Sequence, residues 1–168
     1  MTGIRYYEAP NYYERQAGDP PAVFLAGGTT GCPPWHADAV EYLADSGVPM
    51  VVLNPARQSF PIHDPDAGWE QVRWEQDHLL ADRVITMMWF PKPLKATTVQ
   101  PIACLEFGQI TVSPGRRFAV GTDPEYPRVR DIGYFMRYHR PNQTVHTSLS
   151  TLLASTVNLV RALGGEPR

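Results

Sequence analysis

Short apolar runs that end in turn residues, each followed by a segment of helical period, recur along the chain and leave it few possible folds. Ala22-Val-Phe-Leu-Ala26 stops at Gly27-Gly28, Met50-Val-Val-Leu53 opens into a loop rich in Pro and Asp over residues 54–66, and Val84 to Phe90 stops at Pro91. Runs of this length without polar alternation predict strands buried on both faces. After the first, Trp35, Ala39, Val40, Leu43 and Ala44 recur at helical spacing, with Gly47 where a C-terminal cap belongs. After the second, Asp66 can cap a helix reaching about Ala81, with Trp69, Val72, Leu79 and Leu80 as its inward stripe. Pro101 opens a helix that must end before Pro114-Gly115. Arg117 to Gly121 is a fourth strand, Tyr126 to Tyr138 a helix, Thr144 to His146 a short fifth strand, and Ser148 to Leu163 a terminal helix capped by Ser148. The alternation predicts an α/β protein with a five-stranded parallel sheet, helices on both faces, and a ligand edge at the carboxyl ends of the strands.

Residues 1–20 carry Tyr6, Tyr7, Tyr12 and Tyr13 among Pro10 and Pro20, which suits an extended arm or short hairpin packed on a core formed by residues 21–168. The chain has 168 residues, of which 43% are hydrophobic, sufficient for one core and too few for two.

A formal charge of -2, with 15 Lys and Arg scattered along the sequence, offers no basic footprint for duplex nucleic acid. No run approaches the roughly 20 apolar residues that span a bilayer. Residues Met1 to Glu8 lack the charged-then-apolar order of a secretory leader, so a cytoplasmic location is expected. Cys32 and Cys104 are far apart with no CxxC, which suggests free buried thiols. His36 with Asp38, and His63 with Asp64, complete no metal set, so neither metal nor cofactor is expected.

Three loops follow strands on the ligand edge: Gly27 to Pro34, Asn54 to Asp66, and Pro91 to Gln100. The first offers backbone N–H groups and hydroxyls, yet has neither the Gly-Lys-Ser/Thr ending of a P-loop nor dinucleotide GxGxxG spacing; as structure alone it is a tight turn. The carboxylate of Glu106 sits among apolar neighbours in Ala103-Cys-Leu-Glu-Phe-Gly108. A buried acid is costly, so Glu106 is either a working group or a helix-terminal Glu answering the macrodipole or an Arg. Glu70, Glu75, Asp77 and Asp82 lie on the preceding helix, where most acids are solvated surface, though one of them can approach a second carboxylate.

Val23-Phe-Leu-Ala-Gly-Gly-Thr-Thr-Gly-Cys-Pro-Pro-Trp35, Val52-Leu-Asn-Pro55, Trp74-Glu75, Ala81-Asp82, Trp89-Phe-Pro91 and Leu105-Glu-Phe-Gly108 occur in an order that resembles the nucleoside 2-deoxyribosyltransferase-like family. The resemblance covers roughly residues 22 to 146. It implies a doubly wound, flavodoxin- or Rossmann-like sheet, a homo-oligomer, and small-molecule partners: a nucleoside or nucleotide and a nucleobase. It implies that Glu106 attacks the sugar and that Glu75, with Asp77 second, is the acid near the nucleobase. It places Gly27, Gly28 and Thr30 on the sugar side, Trp35, Asn54 and Phe60 against the base, and Trp89 or Phe90 as a pocket wall. The acidic residue that better-studied relatives carry shortly before the nucleophile falls here among Thr97, Thr98 and Gln100, which leaves sugar selectivity open. The implied reaction cleaves the N-glycosidic bond of a (deoxy)nucleoside or nucleotide and passes the sugar to another base. Hydrolysis, and a silent nucleotide-binding module, are the alternatives. Arg57, Arg116, Arg117, Arg128 or Arg130 would favour a 5′-monophosphate substrate if they converged on the pocket.

Overall fold

A computed structural model describes residues 3–95 and 99–165. Its elements are β1 (Arg5–Glu8), β2 (Ala22–Gly27), α1 (Trp35–Asp45), β3 (Val51–Asn54), α2 (Ala67–Leu79), β4 (Val84–Phe90), α3 (Pro101–Val112), β5 (Arg117–Thr122), α4 (Val129–His139), β6 (Val145–His146) and α5 (Leu149–Gly164). The expected α/β architecture is present, with one addition. The sheet has six parallel strands in the order β1-β3-β2-β4-β5-β6. The sixth comes from the arm: Arg-Tyr-Tyr-Glu pairs in register with Val51 to Asn54 as an edge strand, where half-exposed polar residues are tolerated and no apolar run is needed.

Side chains of each strand alternate between two cores. Phe24, Ala26, Met88 and Phe90 face α2, α3 and α4, whereas Val23, Leu25, Met87 and Trp89 face α1 and α5. The chain leaves β2 toward β3, then crosses back over β2 to reach β4. The direction of winding therefore reverses between β2 and β4, which is where open α/β sheets bind ligands.

The inward stripe of α2 differs from the sequence expectation. Trp69 is 67% exposed and Val72 44%, with Leu80 beyond the helix end also exposed, whereas Ala67, Trp74, His78 and Leu79 are buried. The arm supplies the reason. The Trp74 indole N–H donates to the Asn11 carbonyl at 2.9 Å, and the Tyr13 amide donates to His78 Nε2 at 3.1 Å. His78 Nδ1–H is thereby left to donate to the Trp74 carbonyl at 2.7 Å, so a helix face that reads as polar is buried with its hydrogen bonds made. Asp66 occupies the cap position of α2 without a side-chain cap bond; Ser148 does cap α5, accepting from the Thr151 amide at 3.3 Å. Among the described residues no helix is long and apolar enough to cross a membrane.

Candidate active site

The loop leaving β2 is held as a wedge of bare backbone. Gly27 has φ of 143°, and a Cβ there would stand 2.0 Å from the Trp89 carbonyl oxygen; one on Gly28 would stand 2.4 Å from the Gln100 side chain. Gly27 needs glycine because backbone blocks any side chain there, whereas a side chain at Gly28 would have to displace Gln100 and Cys32. The Trp35 indole N–H then donates to the Gly28 carbonyl at 2.8 Å, tying the loop to the start of α1.

Beside this wedge, at the carboxyl ends of β2 and β3, opens a cleft of about 960 Å³. Thr30, Cys32 and His36 form one wall; Asn54, Arg57 and Phe60 form another, and Gln71 and Glu75 reach in from α2. The edge strand contributes Tyr6 and Glu8, which the sequence reading missed, since the arm showed no apolar run to mark it as part of the sheet. Asn54 donates to the Tyr6 hydroxyl at 2.9 Å and accepts from the Ala56 amide at 3.0 Å, and Glu8 accepts from the Gln58 amide at 3.0 Å. These bonds fix the loop after β3. Arg57 packs its guanidinium 5.5 Å from the Phe60 ring centre and pairs with Glu70 at 2.9 Å.

Glu106 lies on the inward face of α3 with Ala103, Phe107 and Ile110, and only 5% of it is exposed. It is in the second turn of the helix, beyond the reach of a terminal macrodipole, and among the described residues it has no arginine partner. Burial pushes its pKa up to about 8, and the nearby charge of Glu75 adds to the rise. Burial also raises Glu75, but there a 2.7 Å hydrogen bond from Gln71 Nε2 and the charge of Arg57 act in the opposite direction. Glu106 thus favours its protonated form near neutrality, while Gln71 and Arg57 favour the anionic form of Glu75. The cleft wall includes Glu75 and not Glu106 itself.

The other sequence candidates separate into two groups. Thr30, Asn54 and Phe60 line the cleft. Trp35, 3% exposed, and Trp89, 6% exposed, are core side chains on the α1/α5 face, while Phe90 stacks on Tyr126 and meets Phe107 edge-on. Asp77 is exposed and accepts from the Tyr12 hydroxyl at 3.1 Å, apart from the cleft. Of the five arginines, Arg57 alone lines the cleft; Arg116 and Arg117 are at the opposite end of the sheet, and Arg128 pairs with Asp131 at the start of α4. Thr97 and Thr98 lie outside the described residues. Cys32 is buried and Cys104 half-buried, both as free thiols.

The sequence profile of the family described as nucleoside 2-deoxyribosyltransferase like matches residues 20–126. The chain belongs to that family. The match runs from β2 to the turn before α4 and so contains the glycine wedge, Glu75 and Glu106, but not β1. The family acts on nucleosides and nucleobases, which is consistent with small-molecule partners. The chain matches no curated protein.

Proposed function

We propose that this nucleoside 2-deoxyribosyltransferase-like protein cleaves the N-glycosidic bond of a deoxynucleoside and transfers the sugar to a second base through an ester on Glu106. One observation carries the reading: a buried carboxyl, Glu106, senses the charge of a second, Glu75, and the second lines the cleft at the switch point of the sheet. Paired carboxyls whose surroundings separate their pKa values are the usual equipment for glycosidic chemistry.

The proton count of the pair fits the reaction. Attack requires one ionised carboxylate, and departure of the base requires one proton. Near neutrality the pair holds one of each, with the proton on Glu106. Substrate binding moves that proton to Glu75, which passes it to the base as the C1′–N bond breaks and its electron pair stays on the base nitrogen. A Glu106 oxygen forms the new bond to C1′. In the return step a second base attacks C1′, the ester bond breaks, and Glu75 takes up the proton that the incoming base loses. The sugar keeps its configuration after two displacements.

Incubation with a deoxynucleoside, with and without a second base, tests this directly. A new nucleoside that forms only when the second base is present means transfer; free sugar and base alone would replace the proposal with hydrolysis. Glu106→Gln should lose at least about a thousandfold in turnover. A 2-fluoro sugar nucleoside should leave its label on the peptide bearing Glu106, and a label elsewhere removes Glu106 from the role.

A further inference from the structure

Buried polar groups in folded proteins nearly always have partners, so a cluster of unpartnered ones marks a place where a ligand supplies them. Three side chains of this cleft each carry such an atom among the described residues: His36 Nε2, Arg57 Nε and Gln71 Oε1. They come from three separate parts of the fold, namely α1, the loop after β3, and α2. The His36 residue is 7% exposed and the Arg57 side chain 5%, so bulk water is a poor partner for either.

The orientation of the Gln71 amide is fixed by its surroundings. Its nitrogen donates to the Pro55 carbonyl at 2.8 Å and to Glu75 Oε1 at 2.7 Å, and the carbonyl, which can only accept, sets the nitrogen on that side. Both N–H groups are spent, and what Gln71 offers the cleft is a fixed acceptor. Arg57 is fixed in the same way by Glu70 and Phe60, and offers a charged donor from Nε. A charged donor bonds best to the most electron-rich acceptor of a base, its exocyclic oxo oxygen, as arginine does with guanine in DNA.

We propose that Gln71 and Arg57 read the hydrogen-bonding edge of the nucleobase, selecting bases that present an N–H beside an oxo group. The 6-oxopurines and the 2,4-dioxopyrimidines have that edge; purine itself lacks both groups, and adenine lacks the oxo oxygen. This inference rests on the glycosyl-transfer reading for the identity of the ligand, but its test does not depend on turnover. Gln71 is also a positioning residue, because the same amide that presents its oxygen to the base holds the carboxylate of Glu75.

Calorimetric binding of free hypoxanthine, adenine and purine to the Glu106→Gln protein provides the measurement. Hypoxanthine should bind at least about tenfold more tightly than either of the others, the factor expected when a site built to hydrogen-bond meets a ligand lacking the group. Adding Gln71→Met should bring the hypoxanthine-to-purine ratio to within about threefold of unity. Arg57→Lys keeps a charge beside Glu70 but has no counterpart of Nε–H, and should reduce the hypoxanthine-to-adenine ratio at least about threefold. Should Gln71→Met fail to fold, as judged by circular dichroism, the Arg57→Lys ratio decides. Equal affinities for the three bases, or a preference that survives both substitutions, overturns the proposal. Base discrimination in a protein that turns over no deoxynucleoside would instead overturn the proposed reaction and leave this inference standing.

Discussion

The two ends of the sheet each carry a large concavity, and they treat their polar groups differently. At the amino end a cavity of about 820 Å³ is lined by Arg15, Arg83, Arg116 and Arg117. Two of these arginines serve the backbone: Arg83 donates to the Leu163 carbonyl at 2.8 Å, and Arg116 donates to the carbonyls of Leu80 and Ala81. They brace the last turn of α5 and the turn that follows α2. At the carboxyl end the cleft is lined by Glu8, Glu41 and Glu75, and it keeps donors and acceptors of His36, Arg57 and Gln71 unspent. Cavity size does not tell these ends apart. What distinguishes them is degree: among the described residues the amino-end cavity leaves one buried side-chain atom without a protein partner, Arg83 Nε, and the cleft leaves three.

That contrast can be broken most severely at Glu106. Its pKa is raised in the native protein, so the folded state binds the proton more tightly than the unfolded chain does. The stability this contributes is complete below about pH 4.5 and is lost as pH rises through about 8. Glu106→Gln does not titrate and escapes the loss. Chemical denaturation should find the variant more stable than the parent by about 3–5 kcal/mol at pH 9, and the two about equal near pH 4. Equal stability at both pH values would show that the carboxyl is not buried as described.

The glycine wedge comes next in size. Gly27→Ala places a methyl group against the Trp89 carbonyl in a backbone conformation that L residues avoid, and should lower stability by about 2–4 kcal/mol in urea titrations. At the amino end, Arg116→Met takes a donor away from the Leu80 and Ala81 carbonyls. It should cost about 1–2 kcal/mol while leaving kcat/KM of the parent reaction unchanged, a separation that Glu106 variants cannot show. The mildest effect is on rate. Above about pH 8 the carboxyl pair loses the proton that the departing base needs, so kcat/KM should fall toward a tenfold loss per pH unit. A rate that rises through pH 8 would mean that the proton on Glu106 hinders the reaction.

Much of this was legible in the sequence because burial on both faces leaves a plain signature. Val84 to Phe90 is a strand with seven buried residues in succession, and no surface element reads that way. Glu106 stood out for the same reason: a charge inside an apolar helix is conspicuous. Gln71 was not, and Arg57 and His36 were weighed only for phosphate and metal, because a polar side chain on a helix or loop looks like solvated surface until its neighbours are known. Trp69 misled in the opposite direction, as a large apolar residue whose helix is covered instead by the arm. The arm itself was read as packing on the core. Its entry into the sheet depends on hydrogen bonds to β3, which composition does not encode.

The tie between the Trp35 indole and the Gly28 carbonyl bears on traffic through the protein. Under the proposed transfer, the first base would have to vacate its seat before the second arrives, while the sugar stays behind. The glycine turn, pinned by that indole and jammed against Trp89, forms a fixed jamb. Adjustment to bases of different size is then left to the opposite wall, where Phe60 keeps a partly exposed ring.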